Sequence, residues 1–454
     1  MAGKNYKLDS IFQLYDPIEY TFNKKKEDYV IISPTVGSKS QINDGGRVTF
    51  EINSLSNWLL LSDAFFRCNI KIKDGAPNQN RTPRTNVTLE NNFFPTLFSE
   101  MVLEAGSSVV ETIKHPGEFD TMLKVLLYPT DYSGLSGWFP DVGEGKVEKE
   151  PQDIANDANL DAVRTSVKAL IKRSDFKKNE GFEKRVAIYN NTVDNNSWGT
   201  YINWYLYPLF GILEHRKVSI GFPYKIHLQR TINNDRIFFG ENNSNAKLEI
   251  TDIELYVPVI TPTIEVETRL LNSLTKDIEI AFLRRNTIGS MTITGESTTW
   301  QITTTTKPSR YLILGFKTLQ DSQTNNNNSF KIAGANWADP IIKRIQVRLN
   351  NENYPNQPLT IKPQEKDFNE MYRNYKNMSE LFGNVPQFNY IDFVFNYPIF
   401  CFDLSAHKED LFKTGVQLSV YIEKTAGDMT GYCLLMEEAR HIIKIMDRKM
   451  IRIE

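Results

Sequence analysis

Cysteine is scarce in this chain. Cys68, Cys401 and Cys433 are the only three among 454 residues, and an odd, widely spaced set cannot build a disulfide framework. Cys68 and Cys401 lie within apolar runs and read as small buried hydrophobes. Histidine is scarcer than its chemistry would need: His115, His215, His227, His407 and His441 are far apart, so no local metal clamp is spelled out. Cys-x-x-Cys, His-Glu-x-x-His and Gly-x-Ser-x-Gly are all missing. No charge sign dominates, with 53 Lys and Arg against 55 Asp and Glu. A chain that wraps nucleic acid over its whole surface would be clearly basic, so any such contact must be local. No apolar run approaches the roughly 18 residues of a membrane helix. The stretch Met1-Ala2-Gly3-Lys4-Asn5-Tyr6 has neither a signal-peptide core nor the glycine of a myristoylation signal. The expectation is a protein made in a reducing compartment and not secreted, in which the sequons at Asn86 and Asn195 are chance.

What is present is apolar material and alternation. Hydrophobic residues make up 40% and aromatics 12%, enough to fill large cores, and the length suits two or three domains. Val48, Phe50 and Ile52 alternate with Thr49 and Glu51. The same period-two pattern runs through Phe66–Ile72, Tyr224–Leu228, Ile278–Phe282 and Val416–Ile422. Each reads as a strand with one face buried, and Asn/Asp/Gly/Ser turns between them indicate antiparallel sandwiches. Val48, Phe50, Ile52, Ile278, Ile280 and Phe282 are the expected core. Helical pattern is confined to Gly117–Leu127, Asp367–Leu381 and Asn159–Lys172, the last with a Leu160, Val163, Val167, Leu170 stripe. Residues 128–197 break the strand pattern and read as an insertion lying at the surface or between subunits. Pro258 and Pro262, which lack backbone donors, are expected to end a strand and mark a boundary. The two halves echo each other: Met101–Gly106 followed by Glu118-Phe119-Asp120-Thr121-Met122 corresponds to Ile345–Asn351 followed by Asp367-Phe368-Asn369-Glu370-Met371. Strand, turn, then a helix opening acidic–Phe–x–x–Met, twice in one order, points to a duplicated domain.

Little reads as chemistry. Gly143-Glu144-Gly145-Lys146 lacks the hydroxyl residue and upstream glycine of a phosphate loop. Glu437 and Glu438 are neighbours on a strand and face opposite ways. The expectation is no catalysis, no metal and no cofactor. The C-terminus is the one charged feature: Arg440, Lys444, Arg448, Lys449 and Arg452 interleave with isoleucines and methionines. This is either a solvated strand face or a basic rim that meets nucleic-acid phosphates. Lys24-Lys25-Lys26 is a second, smaller basic spot.

The second half carries an ordered set of segments: Lys307–Phe316, Asn328–Ile332, Ile345–Pro355, Phe368–Tyr375, Phe402–Ser405 and Gly415–Val420. The first half adds Phe98–Glu111, Asn179–Arg185, Leu209-Phe210-Gly211, Tyr224–Arg230 and Ile237-Phe238-Phe239. Their order, over most of residues 47–451, resembles the major capsid proteins of Polinton-like elements and adintoviruses and the related virus-derived proteins of invertebrate genomes. The resemblance implies an all-β fold of two tandem eight-stranded jelly rolls, a double jelly roll, with a few short helices in loops. The expected domains are an N-terminal arm at 1–44, a first roll at 45–260 and a second at 261–454. It further implies a homotrimer of pseudo-hexagonal outline tiling an icosahedral virion shell around double-stranded DNA, with penton and minor capsid proteins as partners. Two other readings stand beside it: a lectin-like sandwich in which Trp198, Trp204 or Trp300 stack sugars, and a domesticated host copy of the viral protein.

Overall fold

The alternating segments pair into antiparallel ladders that fall into two sets. The structure, a computed structural model, describes residues 23–35, 39–53, 58–74, 87–129, 136–142, 179–190, 200–219, 222–232, 234–240, 246–305, 309–318, 330, 341–350, 352–362, 365, 367–405, 415–444 and 449–453. The first set comprises β1 (Lys24–Ile32), β2 (Gly46–Ile52), β3 (Trp58–Leu59), β4 (Phe65–Asp74), β5 (Val87–Leu89), β6 (Phe98–Ala105), β7 (Ser108–Lys114), β8 (Thr200–Tyr205), β9 (Tyr224–Arg230), β10 (Phe238–Gly240) and β11 (Ala246–Pro262). The second comprises β12 (Ile278–Ile293), β13 (Ser297–Thr305), β14 (Ser309–Thr318), β15 (Ile342–Leu349), β16 (Glu352–Thr360), β17 (Ile399–Asp403), β18 (Val416–Lys424), β19 (Met429–Lys444) and β20 (Lys449–Ile453).

The two sets share one topology. In the first, a sheet ordered β1-β11-β4-β8 faces one ordered β2-β9-β6-β7; in the second, β12-β19-β14-β17 faces β13-β18-β15-β16. Each strand therefore has a counterpart: β1 with β12, β2 with β13, β4 with β14, β6 with β15, β7 with β16, β8 with β17, β9 with β18 and β11 with β19. Eight strands in two facing sheets, twice over, is a double jelly roll. The extra strands are annexes: β3 on β11, β20 on β19, and a separate β5–β10 pair.

The echo read in the sequence maps onto equivalent elements. Helix α3 (Pro116–Leu127) follows β7, and α6 (Asn369–Leu381) follows its counterpart β16. Phe119 and Met122 in the first, and Phe368 and Met371 in the second, are all buried. Among the described residues five other helices are short: α1 (Lys39–Asp44), α2 (Phe93–Thr96), α4 (Glu180–Tyr189), α5 (Ile264–Ser273) and α7 (Tyr390–Asn396). The helix read at Asn159–Lys172 lies outside the described residues.

Alternation fills the cores. Val48, Phe50 and Ile52 of β2 are buried, and Phe50 meets Phe66 of β4 edge-on at 5.0 Å. Glu51 faces outward and pairs with Lys225 of β9 at 3.0 Å. In the second roll Val416, Leu418, Val420 and Ile422 of β18 are buried while Gln417 is exposed.

Three expectations need correction. Ile278 and Ile280 are half-buried, and only Phe282 of that trio is enclosed, at 3% exposure. The reason is that β12 is an edge strand whose first residues line an apolar cavity of about 460 Å³ between the rolls, with Trp58, Leu103, Phe222 and Leu274. The insertion at 128–197 is not confined to the surface. Its described part puts Trp138, Phe139 and Tyr189 into the core, and Arg185 is fully enclosed. Aromatic rings without period-two spacing were bulky enough to be recruited by packing. Pro258 does not end a strand either, since β11 continues to Pro262. The β4 ladder stops at Tyr256 and β3 pairs from Val259, so Pro258 falls in the gap where a missing donor costs little.

Candidate assembly surfaces

The two rolls meet along a buried polar seam. The far edge of β12, away from β19, would be an open row of backbone donors and acceptors. Side chains of the first roll close it. Glu111 of β7 accepts from the Arg285 backbone N–H at 2.9 Å, and Glu214 accepts from that of Leu283 at 3.2 Å. His215 Nε2 lies 2.5 Å from the carbonyl of Ala281, and the Lys114 N–H donates to Thr287 Oγ1 at 3.1 Å. Burial pushes the Glu111 carboxyl above the usual carboxylate range, despite the nearby Arg285 guanidinium and its N–H donors. Gly211 is required here, because a β-carbon would stand 2.0 Å from the Leu283 carbonyl oxygen.

Charge is also paired across the seam. Lys317 of β14 reaches Glu118 of α3 at 2.9 Å, and both are nearly enclosed. Burial raises the Glu118 carboxyl most, but Lys317, with smaller help from His115 and Arg236, leaves a net lowering. Arg236 stands 3.9 Å from the same carboxylate. His115 takes the left-handed conformation at φ 50° just before α3 and packs its ring against Tyr432, 5.6 Å away. Burial lowers its pKa. Around the seam, Asn91 donates to the Tyr397 hydroxyl at 2.8 Å, and the Tyr375 hydroxyl donates to the Val125 carbonyl at 3.3 Å.

Buried cations hold the first roll's loops, Lys124 and Arg185 among them. Lys124 pairs with Asp120 at 2.8 Å and lies about 5.4–5.7 Å from the rings of Trp138, Tyr128 and Trp204. Arg185 of α4 pairs with Asp141 at 2.6 Å and donates to the carbonyls of Leu89 (2.8 Å) and Phe139. Lys124 was not singled out in the sequence, and Arg185 only as the end of the Asn179–Arg185 segment; the signal available was a charged residue set among apolar ones. Both bind loop to sheet and face no solvent channel.

The basic C-terminal residues are only partly gathered. Arg440 and Lys444 alternate on β19, Arg440 exposed and Lys444 half-buried. In register, Lys444 is opposite Lys449 of β20, whereas Arg452 is opposite His441, a buried residue stacked on Phe282 at 5.3 Å. Arg448 lies outside the described residues. Period two thus separates Arg452 from the other three in register. Among the described residues no group of three or more His, Cys, Asp or Glu side chains could hold a metal ion. His227 reads as a structural residue, its Nδ1 hydrogen-bonded with Thr49 Oγ1 at 2.9 Å and its Nε2 merely 3.2 Å from the Glu104 carboxylate. Trp204 and Trp300 are core residues at 2% and 4% exposure, which removes the stacking platform a sugar would need; Trp198 lies outside the described residues.

The fold is shared with solved viral structures. The Sputnik virophage structure from cryo-EM superposes with a TM-score of 0.60 at 10% identity, covering 99% of this chain and 93% of that one. The mavirus major capsid protein gives 0.54 at 11%, with 99% and 93% covered, and the Faustovirus major capsid protein 0.53 at 9%, with 97% and 93% covered. Among curated proteins, none matches the sequence. The family model of the double jelly roll-like domain matches residues 146–442, most of the chain, and with the strand-for-strand duplication it establishes that the chain belongs to the double jelly roll-like family.

Proposed function

We propose that this protein is a major capsid protein whose single chain supplies two of six rolls in a homotrimeric, pseudo-hexagonal capsomer. The observation that carries the reading is the duplication itself: two rolls of identical strand order, locked side by side by a buried seam that closes one sheet edge. A rigid pair of like wedges is the unit that a closed threefold ring needs. The division between the rolls is drawn between residues 260 and 261, near the end of β11 at Pro262 and the start of α5 at Ile264. The chain acts as a structural component of a virion shell and not as an enzyme, with double-stranded DNA enclosed and penton and minor proteins at other positions. The Polinton-like and adintovirus affiliation rests on the order of sequence segments. In this reading Arg440, Lys444 and Lys449, which share a face in register, look to the shell interior with Arg448 and lower the cost of packing DNA against the wall, while Arg452 stands in the other register. Multi-angle light scattering and negative-stain microscopy of the full chain test it. Particles of three chains with a hexagonal outline are expected, and a chain that stays single at all concentrations refutes it.

A further inference from the structure

Residues whose spacing selects them for burial converge on a space that the described chain does not fill. Ile278 and Ile280 alternate inward on β12 yet stay half-buried. Leu270 of α5 and Leu274 just after it are also half-buried, and no residue of α5 is enclosed. Trp58, Leu60 and Ile260 form a small core apart from the main one, and Leu270 and Leu274 pack against it. Trp58, Leu270, Leu274, Ile278 and Ile280 all line the cavity of about 460 Å³ between the rolls.

Interior voids in proteins seldom exceed one water molecule. Small-molecule sites span about 300–1,000 Å³, with mostly apolar walls and a few polar groups. This cavity has that size and that lining. Size also limits the occupant: a helix with its side chains is about 10–12 Å across, so the space is too small for a docking helix of two or more turns. The rim sets the head group. Lys217 and Glu279 line the cavity from exposed positions, and neither has an ion pair among the described residues. The neighbouring charges are already matched, Arg216 with Asp63 at 2.6 Å and Glu214 with Arg285 at 3.4 Å. The rim thus offers one cation and one carboxylate beside an aliphatic interior.

We propose that the cavity between the rolls binds a single-chain zwitterionic phospholipid. The acyl chain lies among Leu270, Leu274, Ile278 and Ile280, the phosphate meets Lys217, and the quaternary ammonium meets Glu279. A chain held there touches both rolls and the helix that links them, so it completes the apolar packing that Ile278 and Ile280 lack. The proposal does not depend on the capsomer reading: a chain that bound the lipid and stayed single would refute that reading alone.

The test is calorimetric titration of the full chain, stripped of lipid, with dodecanoyl lysophosphatidylcholine below its micelle concentration. One molecule per chain is expected, and affinity should rise about fourfold per methylene from the octanoyl to the dodecanoyl compound. Ile280→Trp and Leu274→Trp fill the cavity from β12 and from beside α5, and each should weaken binding at least about tenfold. Both positions are half-buried, so circular-dichroism melts should be no lower than wild type. Lys217→Glu and Glu279→Lys leave a rim of one sign, and each should weaken the lysophospholipid about threefold while leaving uncharged dodecanol unaffected. Heats of dilution alone with wild type overturn the proposal, as does undiminished binding by the folded tryptophan variants. Equal binding of the lysophospholipid by wild type and both charge variants overturns the zwitterionic assignment.

Discussion

Replacing Lys317 by Met removes the cation from a buried ion pair that crosses the seam while keeping most of the side-chain volume. Glu118 is left 6% exposed, with Arg236 at 3.9 Å as its remaining cation. Breaking a buried pair from one side costs about 3–5 kcal/mol, because the orphaned charge has lost its water. The partial compensation by Arg236 puts the expected loss near the lower end, about 3 kcal/mol. The double replacement Lys317→Met with Glu118→Gln removes the charge as well as its partner, and should recover at least about 1 kcal/mol of that loss. Urea denaturation of the four proteins closes the cycle. The pH dependence adds a second reading. The folded Glu118 carboxyl is held below its ordinary value by Lys317, after burial has raised it. Its contribution is therefore fully present above the ordinary carboxylate pKa and is lost as pH falls through the folded value. Lys317→Met should flatten that acid limb. A single variant as stable as wild type, or a double no better than the single, would refute the argument that a desolvated charge pair holds the rolls together.

Three further outcomes are expected. Phe50→Ala, at a site with no exposure, should cost roughly 3–5 kcal/mol in urea denaturation; a loss under 1 kcal/mol would mean that the core relaxes around the gap. Gly211→Ala must push the Leu283 carbonyl away from a 2.0 Å contact, so it should cost about 1–3 kcal/mol, read as a lowered Tm. Changing Arg448, Lys449 and Arg452 to Gln should leave trimers intact on light scattering but shallow the salt dependence of DNA retention. Loss of trimers would make those residues structural, and their appearance on the outer face of an assembled shell would end the interior assignment.

Period-two alternation determined the fold class, because a sheet with one buried face imposes that spacing on Val48, Phe50, Ile52 and on Val416 to Ile422 wherever they pair. The echo of Glu118–Met122 in Asp367–Met371 likewise disclosed the duplication, since equivalent cores select equivalent residues. The order of segments was enough to anticipate the family. Which face of each roll is covered could not be read this way. α3 and α6 share an opening motif, yet one is enclosed and the other half open; what differs is the neighbour, and that is a long-range fact. The same holds for Glu111 and Lys317, ordinary charged residues in sequence that became seam residues because the facing roll stripped their water. It holds for Ile278 and Ile280, whose alternation was right and whose burial was decided by an edge position, and for Trp138 and Arg185, which have no periodicity to betray them. Local spacing specifies a strand and its inward face; only the packing of one roll against another decides whether the outward face meets water.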